Sequence, residues 1–520
     1  MMNLQIAICA LAALAGWFAV TRHTIQMFQQ NSYRSERFLR QLRRGGIFTF
    51  RRLAMLACAA CALSGIFWAA AAIAAAWAAK ELRTRYKVPI VYTVPACCLF
   101  AASLALWCAI SAAVWIATGS AGAALTAAFV QLCLPELPLF LLAAAAIPVQ
   151  AVLNRRRLNA ARSILRAHGQ LTVIGITGSY GKTSTKNYLL RILSERYDTL
   201  ATPGNFNTLP GVIRTIREQL KPNHRIFIVE MGAKQKGDIK EICDLVHPQI
   251  GIVTSVGEMH LETFGSVDNV RSTKFELLRS LPADGTGIVN LDSEGIAGAE
   301  LPANCRIITY GMKAEGTDYR AVGADFSPRG SSFAIERRGL DAITVQTPLA
   351  GGTNILNITG AMAAADAAGV PDRNKIQAAA RLQPVLHRLS VHNNNGITVL
   401  DDAYNSNPEG ARTALEMVRD FKLPEGGRRI VVTPGFVELG ERQYEANRQL
   451  GREIAAAADT AVVVNRLNRQ AILEGLAEAG FDPRNTITAD SLREAAAKLQ
   501  SIVRRGDIVL YENDLPDTFK

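Results

Sequence analysis

Residues 173–186 read VIGITGSYGKTSTK. An Ile- and Val-rich run stops at Thr177, glycines at 178 and 181 bracket Ser179 and Tyr180, and Lys182, Thr183 and Ser184 open a segment of helical composition. A strand that turns through glycines into a helix aims backbone N–H groups and the positive helix end at one point, where a phosphate fits. In such a loop the lysine reaches the β- and γ-phosphates and the threonine is a Mg²⁺ ligand. Position 176 is Ile, so the loop has the short G-x-x-G-K-T form. The stretch predicts a nucleotide-binding loop at the first strand of an α/β sheet.

Further along, RIFIVEM (225–231), IGIVTSV (250–256) and GTGIVNL (285–291) are strand candidates separated by segments of helical period. That alternation predicts a parallel sheet wound with helices. Residues 318–348 look β-rich, helical runs follow to about 382, and a second α/β series starts near 388 with GITVLDDAY, RRIVVTP, TAVVVN and GDIVLYE. A boundary between Pro384 and His387 gives a P-loop ATPase-like central domain, 171–384, and a smaller Rossmann-like α/β C-terminal domain, 385–520.

Before the loop the composition changes. All five Trp and seven of the nine Cys precede residue 135, and residues 1–170 hold 17 Lys and Arg against three Glu, while the rest of the chain holds 40 basic and 42 acidic residues. The net charge of +12 therefore belongs to the first third, and no nucleic-acid partner is expected. Apolar stretches at about 3–20, 53–79, 88–117 and 122–153 each approach or exceed the ~20 residues that cross hydrocarbon. The first has no basic leader and more spans follow it, so it is read as an anchor and not a signal peptide. Eight Arg against Glu36 in residues 21–52 put that loop in the cytoplasm. Four full crossings would carry the nucleotide loop away from ATP; Pro135, Glu136, Pro138 and Pro148 make the fourth stretch a re-entrant or interfacial segment, and the span count stays between three and five. Residues 1–153 are expected to be transmembrane helices and 154–170 a basic linker. The chain is then a multi-pass inner-membrane protein with cytoplasmic α/β domains and membrane lipid as one partner. Cys58 and Cys61, inside an apolar span, read as small buried side chains and not as metal ligands.

After the loop, TPGNFNTLPGV (202–212), VEMGAKQKGDI (229–239), SVGEMHLETFGSVDNVRSTKFEL (255–277), GGTNILNITGAMAA (351–364), HRL (387–389), DDAYNSNPEG (401–410) and VELGE (437–441) follow in order. Over residues 171 to about 511 this series resembles the Mur ligases, ATP-dependent amide ligases that build the peptide of bacterial cell-wall precursors, and within them the dipeptide-adding branch. Glu230 at a strand end can hold the Mg²⁺ of MgATP on its own chemistry. The resemblance implies the rest. Gly178, Ser179, Tyr180, Gly181, Lys182, Thr183 and Ser184 would cradle ATP, with Thr183 and Glu230 on one Mg²⁺ and His260 and Lys274, a carbamylated lysine in related ligases, on a second. Asn354 and Asn357, three apart on one helical face, would contact adenine. Arg388 would meet the γ-phosphate, Asp402 the ribose, Asn205 and Asn207 the carboxylate substrate, and Tyr404, Asn405 and Asn407 the acceptor amine.

The implied reaction activates the carboxylate of a cell-wall precursor, nucleotide-linked or lipid-linked, as an acyl phosphate for attack by an amino acid or dipeptide amine. The uridine-diphosphate-gripping first domain of the soluble members has no counterpart in this reading. Thr353 stands for the family's His, His387 for Gly, and ENDLPDTFK (512–520) for a KGSR-like ending. A ligase of another polymer, such as poly-γ-glutamate or folylpolyglutamate, remains open. So does a membrane P-loop NTPase driving transport or switching, although such a protein needs neither the Asn-rich loop nor a closing domain bearing Arg388 and Asp402.

Overall fold

The computed structural model describes residues 2–30, 38, 50–84, 89–133, 135–257, 261–327, 330–385, 390–403, 408–421, 423–437 and 439–513. The chain divides into two compact units between Arg155 and Arg156.

The first unit is all helical. Helices Met2–Gln30 and Val94–Thr118 are long and apolar enough to cross a membrane. The apolar stretch 53–79 is not one span: it breaks at Ser64–Gly65–Ile66 into helices Phe50–Leu63 and Phe67–Arg83. Gly65 takes φ 74°, a left-handed turn that glycine makes without a Cβ penalty. The stretch 122–153 breaks too, into Ala121–Val130, a 3₁₀ turn Gln131–Cys133, and helix Glu136–Ala167, which absorbs the expected linker. Ala13, Trp17, Ala70, Ala74, Trp77 and Phe129 form the packed centre. Gly16 allows a close approach there, since a Cβ would stand 3.0 Å from Ala74 Cβ.

The charges of this unit gather at one end. Arg22 Nη1 lies 3.7 Å from Glu81 Oε1 and donates to the Glu81 carbonyl at 3.4 Å. Arg51 pairs with Glu136 and donates to Thr24 Oγ1 at 3.3 Å, while the Gln29 amide exchanges hydrogen bonds of 2.9 and 3.0 Å with the Val91 backbone. At the opposite end Thr126 donates to the Ala62 carbonyl at 3.3 Å. Glu81 and Glu136 keep 4% and 9% side-chain exposure, so each buried carboxylate has an arginine beside it, as burial requires.

The second unit holds two sheets. The first contains β1 (Thr172–Thr177), β2 (Thr199–Ala201), β3 (Ile226–Glu230), β4 (Ile250–Val253), β5 (Thr286–Asn290), β6 (Arg306–Gly311), β7 (Tyr319–Ser327), β8 (Gly330–Arg337) and β9 (Leu340–Thr347), in the order β2-β3-β1-β4-β5-β6-β7-β8-β9. Strands β1 to β6 pair in parallel, as do β6 and β7, and β7 to β9 form an antiparallel meander. The run 318–348 is thus the far end of the same sheet. β3 and β4 are buried at every position, the signature of a sheet covered on both faces. Side chains alternate between two cores. Ile174, Ile176, Ile226 and Ile228 join Tyr188, Leu189 and the helix Gly352–Ala367 on one face. Val173, Phe227 and Val229 meet helices Leu209–Gln219, Asp238–Val246 and Val267–Arg279 on the other.

The second sheet contains β10 (Ser390–Asn394), β11 (Ile397–Asp402), β12 (Arg429–Thr433), β13 (Thr460–Val464), β14 (Thr486–Ala489) and β15 (Ile508–Glu512), ordered β10-β11-β15-β12-β13-β14 and parallel except at β10–β11. The β10–β11 hairpin turns on Asn395 and Gly396, with φ 52° and 84°, the pair a two-residue type I′ loop favours.

A buried ion network closes the meander onto its helices. Asp366 accepts from Tyr319 Oη at 2.9 Å and Arg337 Nη1 at 3.3 Å and pairs with Lys375, whose side chain has no exposure. Asp372 pairs with Arg337 at 2.8 Å and Lys375 at 2.7 Å. Removing one member strands buried charge, which typically costs 3–5 kcal/mol. Asp366→Ala is expected to lower stability by about 3 kcal/mol in urea denaturation, since Arg337 and Lys375 would then share only the half-exposed Asp372; a loss below about 1 kcal/mol would contradict this account.

Candidate active site

In the first sheet β1 lies between β3 and β4, so the chain leaves β1 toward one side and returns on the other. Ligands of doubly wound sheets bind at such a reversal, beyond the carboxyl ends of the strands. The loop 178–181 stands there. Gly178 has φ 154°, and a Cβ on it would lie 2.0 Å from Thr254 Oγ1; Gly181, at φ 78°, caps the helix Lys182–Leu193, and its Cβ would lie 2.5 Å from Asn357 Oδ1. Both glycines are steric requirements of this turn.

The segment after β4 pins the loop. Ser179 N donates to the Ser255 carbonyl at 2.9 Å, Tyr180 N donates to Ser255 Oγ at 2.7 Å, and Thr254 Oγ1 donates to the Tyr180 carbonyl. Gly257 N donates to Ser179 Oγ at 3.0 Å, and the Tyr180 ring fills the space where a Cβ of Gly257 would be. Lys182 folds its ammonium back over the loop, donating to the carbonyls of Gly178 at 2.7 Å and Ser179 at 2.9 Å. Its charge is held where phosphate oxygens would approach.

Beside the loop sits Glu230, 1% exposed, at the end of β3. Its Oε1 accepts from Thr183 Oγ1 and Asn207 Nδ2, both at 3.2 Å, and its Oε2 lies 2.9 Å from Lys186 Nζ. Burial alone would raise its pKa, but Lys186 and Lys182, with the hydrogen bonds from Lys186 and Asn207, outweigh it and hold the carboxyl below its ordinary value. Oε2 is buried without a well-directed hydrogen bond, so it retains a lone pair beside the Thr183 hydroxyl. Two hard oxygens so placed fit Mg²⁺.

Lys274 projects from the helix Val267–Arg279 and is 4% exposed. Burial, then the Lys182 charge, pushes its pKa down to about 7, against the weaker opposing pull of Asp238 and Glu276. The helix is tied to the loop after β3, because Glu276 accepts from the backbone N–H groups of Gly237 at 2.8 Å and Lys240 at 3.0 Å.

The remaining candidates divide. Asn354 and Asn357 share one face of the helix Gly352–Ala367 and pack against the helix that follows the loop: Asn354 Oδ1 accepts from Tyr188 Oη at 2.7 Å, and Asn357 Oδ1 from Thr185 Oγ1 at 3.3 Å. Ser184 is buried in that helix. Asn207 reaches Glu230, whereas Asn205 is exposed on the same loop. Asp402 ends β11 in register with Glu512 of β15, whose carboxyl burial and Asp402 together push well above its ordinary range. His260, Arg388, Tyr404, Asn405 and Asn407 lie outside the described residues. Sequence reasoning passed over Lys186 and the Thr254–Ser255 clamp. The signal for Lys186 was its place one helical turn after Lys182.

Residues 176–365 match the Mur ligase middle domain, and residues 387–511 match the glutamate ligase domain of the Mur ligases. The UDP-N-acetylmuramoyl-tripeptide–D-alanyl-D-alanine ligase of Mycobacterium tuberculosis is 31% identical over 364 residues, which cover 66% of this chain and 70% of that one. A crystal structure of MurF from Acinetobacter baumannii superposes with TM-score 0.62 at 27% identity, over 69% of this chain and 77% of that one. The MurF ligase of Thermotoga maritima in complex with ADP does so with TM-score 0.62 at 26% identity, over 70% and 81%. The chain belongs to the Mur ligase family of ATP-dependent, ADP-forming ligases.

Proposed function

We propose that the chain joins D-alanyl-D-alanine, or a similar amine, to the carboxylate of a UDP-linked cell-wall tripeptide, and does so from the membrane. The observation that carries the reaction is the cluster of Lys182, Thr183 and Glu230 around one turn, with a buried lysine of lowered pKa close by. A carboxylate does not condense with an amine in water, because hydroxide leaves poorly. Transfer of the γ-phosphoryl group makes an acyl phosphate, the amine attacks its carbonyl carbon, and phosphate leaves. Lys182 swings from the loop carbonyls onto the β- and γ-phosphates, and the backbone N–H groups of residues 178–184 orient them. Thr183 and Glu230 would hold one Mg²⁺, and His260 and Lys274 a second; when bound, these ions draw charge from the transferring phosphoryl oxygens. Arg388 adds a cation from the C-terminal domain, so the site is complete only on closure. Asn205 and Asn207 orient the carboxylate, Asn354 and Asn357 face the adenine, Asp402 the ribose, and Tyr404, Asn405 and Asn407 the amine.

The membrane reading rests on where the first unit keeps its apolar and charged groups. Leu4, Ile8, Leu11, Trp68, Val94, Trp115 and Ile116 are among its many exposed large hydrophobic side chains, and only 6% of the helix Val94–Thr118 is buried. Such an exterior suits lipid. Helices Phe50–Leu63 and Phe67–Arg83 both have their outer ends in the charged layer of Arg22, Arg51, Glu81 and Glu136, so they enter and return as a hairpin. Phe140 sets its ring 6.3 Å from Phe28, so the helix from Glu136 continues outward on that same side. Helix Met2–Gln30, helix Val94–Thr118 and the pair from Ala121 onward then make three crossings, and the positive-inside rule puts the charged layer and the exit toward the ligase in the cytoplasm.

Lys182→Ala is expected to lower ligation, read as ADP release with UDP-N-acetylmuramoyl tripeptide and D-alanyl-D-alanine, by at least about 10³-fold without changing the circular dichroism spectrum. Wild-type turnover by this variant would overturn the role.

Only the unprotonated Lys274 amine can add to CO₂, forming a carbamate and releasing a proton. With its pKa near 7, activity should fall as pH drops below about 7 and recover in part with added bicarbonate. A pH–rate profile flat from pH 5.5 to 8 and insensitive to bicarbonate would exclude the carbamate.

The full chain should stay in the membrane fraction after alkaline carbonate washing, and protease added to inside-out vesicles should remove a C-terminal tag but spare an N-terminal one. Release by carbonate, or equal digestion of both tags, would refute the three-crossing arrangement.

A further inference from the structure

Lys186 is 2% exposed, although it stands on a helix where a lysine would ordinarily reach solvent. Its ammonium lies 2.9 Å from Glu230 Oε2 and donates to the Gly204 carbonyl at 2.7 Å. Gly204 precedes Asn205 on the loop between β2 and the helix Leu209–Gln219, and is exposed with φ 51°. Two residues further along, Asn207 donates to the other oxygen of Glu230, and its carbonyl accepts from Gly232 N at 2.7 Å. The loop is therefore held at two points, by a cation through its backbone and by a carboxylate through a side chain, and the two holders are an ion pair with each other.

From this arrangement we propose that Lys186 is a positioning residue for the carboxylate substrate: it fixes the loop 203–208 against Glu230, so that the group meeting the carboxylate and the group serving the nucleotide keep one geometry. A hydrocarbon in its place would leave Gly204 and Asn205 attached through Asn207 alone. Lys182, one turn earlier, serves the phosphates, while Lys186 serves the other substrate. The kinetic consequence rests on the ligase reading above; the loop restraint does not.

Two measurements separate these. The first is amide hydrogen exchange across residues 203–208 in the full-length protein without ligands. Glu230→Gln keeps Lys186 on the Gly204 carbonyl and should leave the loop protected, whereas the double variant Lys186→Met with Glu230→Gln, which strands no charge, should exchange about tenfold faster there. Equal protection in the two would overturn the proposal, whatever the substrate. The second is steady-state kinetics of Lys186→Met and Lys186→Arg with UDP-N-acetylmuramoyl tripeptide, D-alanyl-D-alanine and MgATP. Lys186→Met should raise KM for the tripeptide about tenfold or more and KM for MgATP less than about threefold, and Lys186→Arg should recover part of the difference. Equal rises in both KM values, or none, would reduce Lys186 to a structural ion pair. A wild-type protein inert toward the tripeptide would remove the substrate reading and leave the exchange result to decide the restraint.

Discussion

A single buried carboxylate organises the catalytic half of this molecule. Glu230 would be costly in its apolar strand end were it not met by Lys186, Lys182, Thr183 and Asn207. Those partners come from two places, the helix after the phosphate loop and the loop after β2. The charge thus forces three segments far apart in sequence into one node. The same balance that makes the burial tolerable keeps the group ionised, with one oxygen poorly hydrogen-bonded and turned toward Thr183, which is the condition for receiving a cation. Stability and reactivity have one origin here.

Much of this was legible in the chain beforehand, for identifiable reasons. Glycine at 178 and 181 can be read because no other residue fits those torsions, and the structure supplies the two atoms, Thr254 Oγ1 and Asn357 Oδ1, that forbid a Cβ. Strand ends were legible because buried parallel strands are unbroken apolar runs. Asn354 and Asn357 were legible as a pair because helical spacing puts them on one face, though not that Tyr188 and Thr185 would be their immediate partners. Lys186 was not legible: a lysine on a helix reads as surface, and what buries it arrives from a strand 44 residues later and from a backbone carbonyl, which carries no residue-type signal. The division of the stretch 53–79 was hidden because Ser64 and Gly65 are too few to interrupt its mean hydropathy.

The meander β7–β9 has a comparable economy. It extends the nucleotide sheet and offers one apolar face, Phe333, Ile335, Ile343 and Val345, to the helix that carries Asn354 and Asn357. The ion network of Asp366, Arg337, Asp372 and Lys375 locks that helix against the meander, so two asparagines beside the phosphate loop take their height and rotation from strands that touch no substrate.

The helical hairpin from Phe50 to Arg83 carries a consequence of parity. Since both of its outer ends lie in the charged layer, it contributes nothing to whether the number of crossings is odd or even. A lineage could lengthen it, shorten it or discard it and the nucleotide site would still face the same compartment. Either full-length helix, by contrast, could not be lost alone without inverting the enzyme. Ser64 and Gly65 therefore do more than end a helix: by returning the chain, they leave sequence variation in the hairpin free of any topological cost.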